Sequence, residues 1–176
     1  MRHINTLIHP DVAGKENLKT FERTAARAVV TVGNDILLIY TKRYDDYTIP
    51  GGGVDESEPI KEALKRELHE ETGANNVKVI SHFGTYEEYR PYYKGYDQMH
   101  MISHIFVCNI DEKLGDAKPE EYEKSNGSVP VWVDIDKAIK HNEEVINSNP
   151  ESMGLSIIRE YELLKLIKEE LMKKDA

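Results

Sequence analysis

Apolar runs and the glycines, prolines and acids that interrupt them divide the chain into strand-like segments followed by a helical end. Residues 1–20 are mixed, with His9-Pro10-Asp11 marking a turn between short extended pieces. Ala28–Val32 reads as a strand, Gly33-Asn34-Asp35 as a tight turn and Ile36–Thr41 as the hairpin partner. Both strands are almost continuously apolar, which predicts a sheet covered on both faces. Tyr47-Thr48-Ile49 is a short strand before Pro50 and three glycines. Apolar spacing then predicts a helix over Pro59–Thr72, with proline in its first turn and Gly73 as its cap. Val77–Ile80, Gly84–Glu87 and Met99–Ile110 read as further strands, 111–128 as a polar loop and Val129–Val133 as the last strand. Asp134–His141 begins a short helix. From about Pro150 to Lys174 a long helix carries Leu155, Ile158, Tyr161, Leu164 and Ile167 on one stripe. Strands on both sides of an early helix, with a closing helix, give an α/β class: a mixed β-sheet between helices.

The early helix breaks the usual pattern. At about 100° per residue, Glu70 and Glu71 fall near −60° and +40° from Glu67, so three carboxylates share one arc. Ile60, Ala63 and Leu64 project into that same arc. An ordinary surface helix turns its acids away from its apolar side. Acids on the inward side are costly unless a cation neutralises them. All-oxygen ligation suits a hard divalent ion, Mg²⁺ first and Mn²⁺ second. Before the helix, Gly51-Gly52-Gly53 allows a close approach of backbone and ligand.

The stretch Gly52, five residues, Glu58, seven residues, Arg66-Glu67-Leu68, His69, Glu70-Glu71, Thr72, Gly73 resembles the Nudix box of the Nudix hydrolases. Ala74 departs from the bulky aliphatic residue usual at the last position. The resemblance implies a Nudix-like α/β/α sandwich and cleavage of a nucleoside diphosphate linked to another moiety X, with Mg²⁺ and water. By position it implies Glu67, Glu70, Glu71 and the Gly51 carbonyl oxygen as metal ligands. Glu67 is also a candidate to orient or deprotonate water, and Arg66 pairs with a box carboxylate. Glu58 is read as structural. The general base stays open between Glu67, the loop acids Glu120 and Glu121, and the pair Glu87 and Glu88.

Further candidates are softer. Lys42 and Arg43 stand just before the glycine turn, where they could meet phosphate oxygens. The segment TYEEYRPYYKGYDQ mixes stacking faces with phosphate donors, Tyr89 and Arg90 among them, and is where selectivity is expected. In the family, a proline in this zone goes with ADP-ribose-type substrates and a tyrosine with dinucleoside polyphosphates. Pro91 stands among several tyrosines, so the two pointers cancel. His100 and His104 stand about 13 Å apart on one strand face and cannot share an ion. Cys108 reads as buried and inert.

Length and charge narrow the partners. A chain of 176 residues, 39% hydrophobic and 31% charged, is read as one globular domain over 1–176. Its net charge of −9 speaks against coating a nucleic-acid polymer, but not against a small nucleotide held by metal and a few bases. No apolar run reaches membrane-spanning length and no signal-peptide core is read, so a cytoplasmic monomer or homodimer is expected. Two other readings stand beside the hydrolase. One is a non-catalytic nucleotide-sensing domain, which would typically have lost box acids. The other is an isoprenoid diphosphate isomerase, which would need Cys108 in the site.

Overall fold

A computed structural model describes residues 1–172. In chain order it has β1 (His3–Ile8), β2 (Thr20–Val29), β3 (Thr31–Val32), β4 (Asp35–Thr41), β5 (Asp46–Thr48) and β6 (Gly51–Gly53). These are followed by α1 (Ile60–Thr72), β7 (Lys78–Pro91), β8 (Gln98–Asn109), α2 (Glu121–Asn126), β9 (Ser128–Asp134), α3 (Ile135–Ser148) and α4 (Ile157–Leu171). The α/β class with mixed strand directions is as expected, but the strands form two sheets. One has the order β1-β7-β8-β2-β6, and in it β2 runs parallel to β8 and β7 antiparallel to β8. The other joins β3, β4 and β5, with β9 on the free side of β4.

The chain passes between the sheets at Val30, where β2 ends and the β3–β4 hairpin begins. Continuous apolarity across 28–32 hides that break, although only Ala28, Val29 and Val30 are buried and Val32 of β3 is exposed. The strand also starts earlier than its apolar run. Thr20–Arg27 alternates, and ten register pairs tie β2 to β8. Even residues Ala26 and Ala28 pack with Leu64 and Leu68 of α1 and with Phe106. Odd residues face the other way, with Ala25 beside Met99 and Met101. Burying Leu64 and Leu68 stabilises the α1 contact by roughly 1.5–3 kcal/mol each.

Three other segments differ from the sequence reading. The two strands expected between 77 and 87 are one, β7, whose register shifts near Ser81 and Gly84 absorb the polar interruption. The polar loop over 111–128 contains α2, started by a reciprocal capping box between Glu120 and Glu123. The last helix begins only at Ile157, and Leu155 is exposed. Its buried face holds Ile157, Arg159, Glu160, Leu163, Leu164 and Ile167, so charged residues occupy the inward positions that the apolar stripe assigned to Ile158. Residues 173 and 174 of the expected helix lie outside the described residues. The helix starting at 134 is longer than read: Asp134 accepts from the amides of Asp136 and Lys137, and α3 runs on to an αL cap at Asn149. Helices α3 and α4 pack with Val29, Ile36, Ile105 and Tyr86 in a second core, opposite the one under α1. No helix among the described residues is long and apolar enough to cross a membrane.

Candidate active site

Strand β6 is three glycines, and a charged group stands against each. Gly51 has φ +153°, and a Cβ there would lie 2.1 Å from the Ala26 carbonyl oxygen, so no side chain fits. Its amide donates to Glu71 Oε2 at 2.8 Å. A Cβ on Gly52 would lie 2.5 Å from the Glu67 carboxyl carbon, and one on Gly53 would lie 2.9 Å from Arg23 Nη2. The bare strand therefore leaves room for the Glu67 carboxylate over Gly52 and the Arg23 guanidinium over Gly53, which added side chains would displace.

Helix α1 delivers the acids. Pro59 starts it in extended conformation, and Gly73 ends it at φ +74° with its amide on the His69 carbonyl. Arg66 lies between the glycine turn and the acids. It donates to both oxygens of Glu58 at 2.9 and 3.0 Å, to Glu67 at 2.9 Å and to Glu70 at 3.5 Å. The Arg66 fork, helped by the Asp55 amide, brings the Glu58 acid down to about 2. Glu58 thus acts from the preceding turn as the anchor of Arg66. Burial raises the Glu67 acid against the opposing pull of Arg66. Burial raises Glu71 well above the usual carboxylate range despite the Gly51 amide, and Glu123 and Glu67 push the same way.

No three His, Cys, Asp or Glu side chains among the described residues are gathered closely enough to hold an ion as they stand. Arg66 engages Glu67 and Glu70, and the Gly51 amide engages Glu71. In donor chemistry the set still fits a hard divalent cation. Every donor is oxygen, and the two acids that burial raises are the ones a cation would relieve.

Of these acids, Glu71 borders a cavity of about 630 Å³. Gly51–Gly53 and Glu71 form one end, while Arg27, Arg90, Tyr92 and Tyr122 are among its other walls. The substrate-side residues named from sequence separate here. Arg90 lines the cavity, but Tyr89, its neighbour on β7, points to the opposite face and stacks on His100 at 4.3 Å. Arg43 is outside the lining and donates to Asn126 at 3.0 Å. Glu120 caps α2, and Glu121 is 91% exposed beside Lys124. The acid of that loop that reaches the cavity is Glu123. The loop is held to α1 by the Gly115 amide on the Gly73 carbonyl and the Lys118 amide on the Glu70 carbonyl. Of the other acid pair, Glu87 accepts from His100, and Glu88 is buried on Arg159. His69 bonds the Ala74 carbonyl. Cys108 lies in the core under α1, with its thiol pushed up to about 11 by burial, and does not line the cavity.

Sequence reading missed Arg23, Arg27, Arg159, Asp46 and Glu123. Period-two alternation in Phe21-Glu22-Arg23-Thr24-Ala25-Ala26-Arg27 would have put Arg23 and Arg27 on one face. No sequence signal marks Asp46. Its Oδ1 is buried without a hydrogen-bond partner among the described residues. Burial first, then Glu160 and Asp45, raise its acid from 3.8 to about 7. Because the folded value is the higher one, the neutral acid favours the fold. That contribution is lost as pH rises from about 4 through 7, at a cost of up to about 4 kcal/mol. Asp46→Asn is therefore expected to melt above the parent at pH 8 and level with it near pH 4. An equal gap at both pH values would contradict this account of Asp46.

The NUDIX domain family model matches residues 22–152. An ADP-ribose pyrophosphatase from Methanocaldococcus jannaschii is 32% identical over 133 residues, covering 72% of this chain and 76% of that protein. Diphosphoinositol polyphosphate phosphohydrolase 3-alpha from Mus musculus is 32% identical over 108 residues, 61% of this chain and 59% of its own length. The solution structure of the E. coli ORF135 protein has the same fold, with a TM-score of 0.56 at 17% identity over 88% of this chain and 96% of that one.

Proposed function

The chain belongs to the Nudix hydrolases, and within that family we propose a Mg²⁺-dependent pyrophosphohydrolase that cuts the phosphoanhydride of a nucleoside diphosphate linked to another moiety X. The observation that carries this reading is the placement of Glu67 and Glu71 against the glycine strand, with Glu70 tied to Glu67 through Arg66, at one end of a nucleotide-sized cavity. We assign the metal to Glu67, Glu70, Glu71 and the Gly51 carbonyl oxygen, with Mn²⁺ as a substitute. When bound, the ion supplies charge neutralisation on the diphosphate and a more acidic water.

The protein's own groups do the rest. Arg66, held bidentate by Glu58, fixes Glu67 and Glu70 in position. Glu67, shielded beneath Gly52 and with a raised proton affinity, takes the proton from the attacking water. Glu123 is the loop acid placed to assist, in the role considered for Glu120 and Glu121. Arg27 stands on β2 opposite Gly51 and meets phosphate oxygens at the acid end. Tyr92, stacked on Phe21 at 5.0 Å, offers a wall to a nucleoside. All box acids are present, which favours turnover over the sensor reading, and buried Cys108 disfavours the isomerase. We take the enzyme to act in the cytoplasm as one domain.

Purified protein with Mg²⁺ is expected to release phosphate or nucleoside monophosphate from some members of a panel of nucleoside triphosphates, nucleotide sugars, ADP-ribose and dinucleoside polyphosphates. Chelation should abolish that release. Tight nucleotide binding with no turnover anywhere on the panel would favour the sensor instead.

A further inference from the structure

The cavity is basic in an acidic protein. Alternation on β2, β8 and β7 sends Arg23, Arg27 and Arg90 to one sheet face. Arg23 is in register with Met101, Arg27 with Ile105 and Arg90 with Met99. All three arginines line the cavity. Arg23 and Arg27 are about 13 Å apart along their strand, and Arg90 lies two strands over, roughly 10 Å across the sheet. A fourth, Arg159, is fully engaged by Glu88 and Glu160.

The first three have no such partner. Among the described residues, no carboxylate lies within ion-pair distance of Arg23, Arg27 or Arg90. Arg27 donates to the Ser103 hydroxyl and Arg90 to the Ser156 hydroxyl. Elsewhere Arg2 pairs with Glu170 and Arg66 with Glu58, while Arg43, outside the cavity, donates to Asn126. Burial brings Arg27 down to about 10 and lowers Arg90, so both charges are held at a cost. Met99 and Met101 of β8, both buried, form the cavity floor between β2 and β7. A partly dehydrated guanidinium without a carboxylate, aimed into an open cavity, is suited to an incoming anion.

Arg27 serves the acid end through its register with Gly51. Arg90 stands away from it, on the far strand, next to Ser156. We propose that Arg90, together with Arg23 beside Gly53, forms a second anion subsite, so that the preferred substrate carries a phosphate or polyphosphate beyond the anhydride being cut. The inference rests on the hydrolase reading for which bond breaks, but the anion binding itself does not depend on it. A neutral sugar as X would leave the half-buried Arg90 guanidinium with the Ser156 hydroxyl and no anion. An X bearing its own phosphate would pair it through two parallel N–H···O bonds.

The test separates the two readings. Calorimetry in chelator, with inorganic tripolyphosphate against orthophosphate, reads the subsite without metal or turnover. The parent is expected to bind tripolyphosphate more tightly, and Arg90→Gln to weaken that binding about tenfold or more. Exposed Arg23→Gln should weaken it less, and Arg90→Lys, which keeps the charge but not the fork, should fall between parent and Gln. Glu71→Gln, impaired in hydrolysis, should bind tripolyphosphate at least as well as the parent. Equal binding of tripolyphosphate by parent and both Arg90 variants would overturn the proposal, whatever the turnover. In a second arm, a nucleotide sugar is compared with the same compound phosphorylated on the distal sugar. The parent's kcat/KM should favour the phosphorylated form and Arg90→Gln should erase the preference; a preference for the neutral form would equally overturn it.

Discussion

Glu71→Gln is expected to cut Mg²⁺-dependent turnover on the order of 100-fold or more while leaving the fold intact. The amide side chain keeps the shape of the carboxylate and can still accept from the Gly51 amide. What it lacks is the negative charge. Burial places the Glu71 acid well above its ordinary value, so the ionised form is disfavoured in the folded protein. With the folded value the higher one, the group's contribution to stability is lost as pH rises above the unfolded value near 4.5. A permanently neutral glutamine escapes that loss, so the variant should melt no lower than the parent at pH 8 in chelator. Activity and stability therefore move apart, which a merely structural acid would not allow. Steady-state kinetics and thermal melting on the same preparations check both halves. Turnover within threefold of the parent would remove Glu71 from the machinery.

Features whose determinants lie close together in the chain are the ones legible in its sequence. Helix α1 and its cap were legible because Pro59, the acid spacing and Gly73 act within a few residues of one another. The need for glycine at 51–53 was legible for the same reason, but the segment reads as a turn and forms strand β6, where the close neighbour of Gly51 is the Ala26 backbone. The acid end of the site follows from those two elements. The basic wall does not. Arg23 and Arg27 meet Arg90 only because β2 lies parallel to β8, a pairing of residues 78 positions apart, while β8 is the hairpin partner of β7. Tyr89 and Arg90 are adjacent in sequence yet on opposite faces, so one-residue parity decides which of them touches the cavity. The 111–128 segment was read as solvated from its composition, and most of it is. A capping box turned its end into a helix and brought forward Glu123 rather than Glu120 or Glu121.

The same long-range assembly sets the largest expected loss of stability, at Arg159. Its side chain is almost wholly buried between Glu88 at 2.5 Å and Glu160 at 2.7 Å, and Glu160 also accepts from the Ile49 amide at 2.8 Å. The partners come from β7 and α4, so one guanidinium ties the last helix to the sheet beside the cavity. A buried pair of this kind contributes little net stability against an apolar replacement of the whole set, because dehydrating the charges offsets their attraction. Removing one member is different, since the remaining charges stay buried without compensation. Arg159→Met keeps much of the volume but leaves Glu88, Glu160 and nearby Asp46 facing one another. The expected cost is about 3–5 kcal/mol, read as a fall in the denaturant midpoint with an unchanged slope. The triple variant Arg159→Met, Glu88→Gln, Glu160→Gln should recover a large part of that loss, because it removes the stranded charges together with their partner. If the single variant were as stable as the parent, or the triple variant worse than the single one, the buried charges would not be what holds α4 against the sheet.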